Sequence, residues 1–194
     1  IFRAHSFCTL ITICRAQRPV AMVVIHSRNP KCWLGTSARW PEHVFMGKMG
    51  GIEVFRRDKG KWALLGKINT IQENIRRITA DASGDLWLTT EVQGLIRVHF
   101  QSDDPLQVGI HRLGLKNGLP ALVTNRASYL DNNLYLCTAK GLYSAQIAPW
   151  QDNADQADAT QFIPEMRFGK QFSDGSMTVS DISPDGDGGY LLQT

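Results

Sequence analysis

Several things are missing from this 194-residue chain, and each absence narrows its class. No run of apolar residues approaches the 18 or more of a membrane-spanning helix, so no direct membrane insertion is expected. There are only four cysteines, at positions 8, 14, 32 and 137, and no two have the close CxxC spacing of a zinc site or a redox pair. Their scatter gives no disulfide framework, and they read as small buried hydrophobes. No block of five like charges occurs, and the formal charge is only +3, from 21 Lys and Arg against 18 Asp and Glu. That balance speaks against nucleic acid as a partner, because such proteins concentrate basic side chains on one face. No GxGxxG or phosphate loop appears. Nowhere do apolar residues recur with the 3.6-residue period of an amphipathic helix.

The N-terminal segment matches nothing. Residues 1–14, "IFRAHSFCTLITIC", resemble the core of a secretion signal, but the apolar run from Phe7 to Cys14 is short and no small-residue cleavage site follows. "PVAMVVIH" (Pro19–His26) is β-branched and reads as a buried strand. Residues 1–30 are left unassigned, as strands of a preceding repeat.

The sequence has 17 Gly and 8 Pro, the composition of a chain with many turns, and a recurring pattern. The triplet Leu86-Trp87-Leu88 is followed 48 residues later by Leu134-Tyr135-Leu136 and 56 residues after that by Tyr190-Leu191-Leu192, while Val44-Phe45-Met46 stands 42 residues before it. These intervals fall in the range of propeller blades. The flanks recur as well. A Thr follows at Thr90, Thr138 and Thr194, and a Gly opens a second apolar run at Gly51, Gly94 and Gly141. Polar turns precede the triplet at Asp81–Asp85, Asp131–Asn133 and Asp185–Gly189. Further β-rich runs flank each hairpin: "NIRRITAD", "LVTNRASYL" and "MTVSDIS" before it, and "KWALLGKI", "VGIHRLGL" and "TQFIPEMRF" after it. Four short strands per unit joined by turns define a propeller blade. The expected fold is all-β, a β-propeller of three to four four-stranded blades, at about 31–70, 71–117, 118–172 and a partial 173–194. "WLGTS" (Trp33–Ser37) shares the Trp and Thr signature, but it stands too close to Val44 to head a full blade of its own.

"IRRITADASGDLWLTTEVQGLIRVHF" resembles the two-component regulator propeller repeat: an apolar strand, an Asp, a Gly-polar turn, Leu-Trp, a Thr, then Gly-Leu and an aromatic-bearing strand. "NGLPALVTNRASYLDNNLYLCTAKGLYS", "PEHVFMGKMGGIEVFRRDKGKW" and "FGKQFSDGSMTVSDISPDGDGGYLL" resemble further copies. The departures are Tyr135 in place of Trp, and Thr89 and Cys137 where the family often has Gly. The resemblance implies a blade set from a seven-bladed propeller in a periplasmic or extracytoplasmic sensor. Such a propeller binds a small-molecule or oligosaccharide ligand and passes its state to an output kinase or cyclase domain. On this reading the remaining blades and the output domain belong to the same protein, and the 194 residues are an incomplete part of it.

Three motifs invite chemistry. "DGDGG" (Asp185–Gly189) has the alternating acids of a calcium loop but lacks its distal Glu. It also falls in the slot of the Asp81–Asp85 turn, 104 residues away, so it reads as a turn. "RDKGKW" (Arg57–Trp62) resembles a sialidase Asp-box without its Ser, and reads as a hairpin. None of the five His residues has a nucleophile motif near it, so no catalytic residue, metal ligand or cofactor is assigned. Binding is expected on the loops that lead into each first strand and join each second and third strand. The candidate ligand residues there are Asn74, Arg76, Asn125 and Arg126, because amide and guanidinium donors suit acidic or hydroxyl-rich ligands. The alternatives are an enzyme on a propeller scaffold, a glycoside hydrolase or lyase, and a protein-interaction scaffold.

Overall fold

The computed structural model describes residues 7–15, 18–27, 32–152 and 158–194. Part of the unassigned 1–30 segment and part of the polar Gln151–Gln161 stretch thus lie outside the described residues. Among the described residues the fold is all-β, and the only helical pieces are two single 3-10 turns, Leu115–Asn117 and Lys170–Phe172. Strands β1 (Phe7–Arg15) and β2 (Arg18–Ser27) pair antiparallel as a separate hairpin.

Three four-stranded antiparallel meanders follow. The first is β3 (Trp33–Ser37), β4 (Trp40–Lys48), β5 (Gly51–Asp58) and β6 (Lys61–Ile68). The second is β7 (Ile75–Ala80), β8 (Leu86–Thr90), β9 (Leu95–Phe100) and β10 (Val108–Leu113). The third is β11 (Arg126–Leu130), β12 (Asn133–Thr138), β13 (Gly141–Gln146) and β14 (Gln161–Pro164). A final hairpin joins β15 (Asp181–Pro184) to β16 (Tyr190–Gln193). "WLGTS" therefore opens the same sheet as Val44-Phe45-Met46, with Trp33 opposite Gly47 and Leu34 opposite Met46. "RDKGKW" is the β5–β6 hairpin, turning through Lys59 (φ 47°) and Gly60 (φ 80°).

The alternation of side chains across each second strand builds the interior. Leu86 and Leu88 face the first sheet, packing with Phe45, Ile52 and Val54. Trp87, between them, faces the third sheet and packs with Ala127, Leu134 and Leu136. Tyr135 repeats that step, packing against Val179 and Ile182 of the final hairpin and its lead-in. The second and third sheets are thus buried on both faces by their neighbours, a propeller-like stacking, with each large apolar side chain worth about 1.5–3 kcal/mol on burial. In the final hairpin, Leu191 takes the Trp87 register position and is 60% exposed.

The recurring Thr and Gly have one shared job. Thr90 accepts the N–H of Gln93 (2.9 Å) and donates its hydroxyl to the Gly94 carbonyl (2.8 Å). Thr138 does the same with Lys140 and Gly141 (3.1 and 2.8 Å). Gly51, Gly94 and Gly141 all have positive φ, and a Cβ there would stand 2.3–2.4 Å from the carbonyl oxygens of Ile71, Leu113 and Phe172. Only glycine lets the hairpin approach the segment that follows its sheet so closely.

Candidate functional site

Every second-to-third-strand turn is stitched to the crossover leading into the next sheet. The Gly50 N–H donates to Asn74 Oδ1 (3.0 Å), and the Gly94 N–H donates to the Leu122 carbonyl (2.9 Å). Val179 N–H donates to the Thr138 carbonyl (3.0 Å), and Thr178 Oγ1 to that of Ala139 (3.2 Å). These bonds gather turns and crossovers on one face of the sheet series, the loop face that the sequence singles out.

The four predicted ligand residues fall into two pairs on that face. Asn74 is spent on structure: besides Gly50, its amide donates to Glu91 Oε2 (2.9 Å), and its carbonyl accepts the Glu91 N–H (2.9 Å). Arg76 is ion-paired with the same Glu91, inside its own sheet. Asn125 donates to the Ala121 carbonyl (2.8 Å) and leaves Oδ1 buried without a partner. Arg126 crosses to the next sheet and pairs with Asp181 at 2.8 Å. The register equivalent of Arg126 is Arg77, the neighbour of the predicted Arg76: Arg77 faces Thr89 as Arg126 faces Cys137. The turn into the second strand is one residue longer in the second sheet, where Ala80 pairs with Leu86, than in the third, where Tyr129 pairs with Leu134, and this hides the equivalence from residue counting.

Sequence reasoning missed a polar hollow of about 400 Å³ on the loop face, lined by Thr70, Gln72, Glu73, Gln93 and Arg112. Arg112 closes one side, its Nε 2.6 Å from Glu73 Oε1 and its Nη2 3.1 Å from the Thr70 carbonyl. Burial pushes the Glu73 carboxyl up, but Arg112 and the local backbone N–H groups outweigh it and hold it below the usual carboxylate range. Gln72 and Gln93 add two amides, so the hollow offers donors and acceptors of both charges. Beside it in sequence, Val92 and Leu115 are exposed. The residues come from three separate segments, and only the sheet order unites them.

A second cluster lies on the outer strands of the second sheet. Arg97 is almost fully buried and donates to Asp85 Oδ2 (3.2 Å), to the Ala148 carbonyl (2.7 Å) and to Asp158 Oδ2 (3.4 Å). Its guanidinium lies over the rings of Trp87 (5.2 Å) and Trp150 (5.6 Å). His99 Nδ1 is 2.8 Å from Asp85 Oδ1, and His111 Nδ1 is 3.3 Å from Asp158 Oδ2 without hydrogen-bond alignment. Both imidazoles stack on Trp150, which fills the space a side chain on Gly109 would take. Burial pushes the Asp158 carboxyl up, but bonds from Thr160, the charge of Arg97 and His111 outweigh it and hold it below the ordinary 3.8. The carboxylates of Asp85 and Asp158 are paired internally, so the cluster clamps Ala148, Trp150 and Asp158 to the second sheet.

Among the described residues, no group of three or more His, Cys, Asp or Glu is placed to hold a metal ion, and no helix is long and apolar enough to cross a membrane. Cys137 is buried, and burial pushes its thiol up to about 12, far from a reactive thiolate. Fold and site together define a class: an all-β protein of stacked, propeller-like four-stranded sheets with a polar loop face. No family model matches the chain, and no curated protein or solved structure matches it.

Proposed function

We propose that this chain is a non-catalytic ligand-binding module. It forms part of a larger β-propeller that senses a hydroxyl-rich small molecule or oligosaccharide at its loop face. The observation that carries the reading is the polar hollow of about 400 Å³, where two amides, a carboxylate and a guanidinium converge from three segments. Planar amides and guanidinium–carboxylate pairs match the paired donors and acceptors of vicinal hydroxyls. Val92, next to Gln93 in sequence, and Leu115, three residues after Arg112, are exposed and offer apolar surface for the C–H faces of a sugar ring. The repeat resemblance adds the context of a two-component regulator propeller, outside the cytoplasm, joined in one protein to further blades and an output kinase or cyclase domain.

A thermal-shift screen of the chain against an oligosaccharide panel, followed by calorimetry on the hits, tests this. Binding is expected, and Gln93→Ala and Arg112→Ala should each weaken it about tenfold, the value of one or two hydrogen bonds to a polar ligand. Hydrolysis of a glycan with no binding that responds to these variants overturns the reading in favour of a propeller-scaffold enzyme.

A further inference from the structure

A cleft of about 370 Å³ opens at the seam between the second and third sheets. The Asp81–Asp85 turn joins β7 to β8, and Ile147 directly follows β13, so the cleft lies at the strand ends opposite the loop face. The second sheet contributes Asp81, Ala82 and Arg97 to its lining, and the third sheet side contributes Tyr129, Ile147 and Pro149. The wall from the third sheet is largely apolar: a phenol ring, an exposed branched aliphatic chain and a pyrrolidine ring. The wall from the second sheet carries polar atoms that its own bonds do not exhaust. Among the described residues, Asp81 Oδ2 accepts one hydrogen bond, from the Trp87 indole N–H (2.8 Å), and a carboxylate oxygen has room for a second donor. Arg97 is almost fully buried, with Nε and Nη2 turned to Asp85 and Nη1 to the Ala148 carbonyl and Asp158. Nη2 carries two N–H groups, and Asp85 is its one partner among the described residues. No described group bonds the Tyr129 hydroxyl either. Tyr129 is peculiar to this seam, because the equivalent register positions hold Ala80 in the second sheet and Pro184 in the final hairpin.

We propose that this cleft binds a small phenolic ring, a ligand class separate from the hydroxyl-rich one at the loop face. The ring lies against Tyr129, Ile147 and Pro149, where removing its apolar surface from water supplies affinity. Its hydroxyl meets the polar wall, donating to Asp81 Oδ2 and accepting from Tyr129 and the Arg97 Nη2. A phenol suits this wall because one oxygen both donates and accepts. A carboxylate would meet the like charge of Asp81, and a wholly apolar ring would take water from these polar atoms without replacing its hydrogen bonds. Apolar walls with a few convergent polar groups are the usual make-up of a small-molecule pocket. The two walls come from different sheets, so an occupant bridges the seam. None of the residues lining the cleft lines the polar hollow.

The test is an NMR titration of the full chain with phenol and with fluorobenzene, which are close in shape and differ in the hydroxyl. Phenol is expected to bind about fivefold to tenfold more tightly, the value of one or two hydrogen bonds, with shifts centred on Ala82, Tyr129 and Ala148. Tyr129→Phe keeps the ring and should weaken phenol about threefold while leaving fluorobenzene unchanged, an outcome that damage to the fold would not produce. Ala82 is an exposed turn residue, so Ala82→Leu should fill the cleft without disturbing the core and weaken both probes at least about tenfold. Equal binding of the two probes, shifts centred away from the seam, or phenol binding untouched by Ala82→Leu overturns the proposal. Gln93→Ala and Arg112→Ala should leave phenol binding intact, so the two sites succeed or fail separately.

Discussion

Trp87 of the second sheet and Tyr135 of the third stand at the same register position, and both are fully buried against the next sheet. Their polar atoms are satisfied by unrelated means. The Trp87 indole N–H donates to Asp81 Oδ2 (2.8 Å), a residue of its own sheet's turn. Tyr135 Oη accepts from Arg167 Nη2 (2.5 Å), which comes from the segment after β14. A guanidinium lies over each ring, Arg97 at 5.2 Å and Arg167 at 5.7 Å, and each is paired with carboxylates, Asp85 and Asp158 in one case and Glu165 in the other. What recurs is a packing slot capped by a cation, and the residues that fill it are free to vary. The largest expected effect follows. Trp87→Ala and Tyr135→Ala should each cost about 3–5 kcal/mol in denaturant unfolding, as deleting a buried aromatic side chain does. Trp87→Phe should then cost more than Tyr135→Phe, because it removes the indole donor from the buried Asp81 Oδ2, whereas Arg167 keeps Glu165 and solvent. Equal costs for the two Phe variants would show that the indole bond is incidental.

The two cations sharpen the comparison at a smaller scale. Asp158 in the second sheet's clamp and Glu165 beside Tyr135 are both held below their ordinary range, despite burial that pushes the other way. A carboxyl depressed in the folded state stabilises it above the unfolded value and loses that contribution as pH falls through the folded value. The contribution of these two carboxyls should therefore be level from neutrality down to about pH 4 and fall below it. Asp158→Asn should cost about 2 kcal/mol at pH 7, the value of hydrogen bonds to a buried charge, and should flatten the acid limb. Glu165→Gln should flatten it less, since its partner Arg167 is largely exposed and solvent screens the pair. Chemical denaturation of both variants from pH 3 to 7 checks the order, and an acid limb unchanged in Asp158→Asn would discard the clamp as its source.

Much of this architecture is legible in the residues, for a physical reason. A blade repeats because every sheet must bury two faces, and the apolar-aromatic-apolar triplet, the Thr turn and the positive-φ glycine are local solutions that leave local marks. Strands β6, Lys61–Ile68, and β10 within "VGIHRLGL" follow directly from such marks. The candidate sites are less legible. Asn74 looks like a ligand donor in sequence but is consumed stitching a turn to a crossover. Arg76 and Arg77 are indistinguishable by composition, and the cross-strand register that aligns Arg77 with Arg126 rests on a turn one residue longer in the second sheet. The polar hollow draws on Thr70, Gln93 and Arg112, which only the meander topology brings together.

The smallest expected effect lies in the pair of turns that the repeat places 104 residues apart. In Asp81–Asp85, the Asp81 carboxylate accepts the N–H groups of Ser83 (2.9 Å) and Asp85 (3.1 Å), and its own N–H donates to the Asp85 carbonyl (3.0 Å). In Asp185–Gly189, Asp185 accepts the N–H groups of Asp187 and Gly189 (both 2.8 Å), and its N–H donates to the Gly189 carbonyl (3.1 Å). Both turns pass through a glycine at φ 89°, Gly84 and Gly188. The bonds match one for one, so "DGDGG" spends the Asp185 oxygen Oδ1 on its own backbone, where a calcium loop would turn that oxygen toward the ion. Position 85 carries the carboxylate that binds Arg97 and His99, whereas position 189 is glycine and ties the last turn to nothing beyond itself. Asp185→Ala should therefore cost about 0.5 kcal/mol or less, as exposed substitutions do, and millimolar calcium should leave the melting temperature of both proteins unchanged. A calcium-dependent rise in the parent that Asp185→Ala abolishes would reverse this comparison and make the exposed copy a metal site.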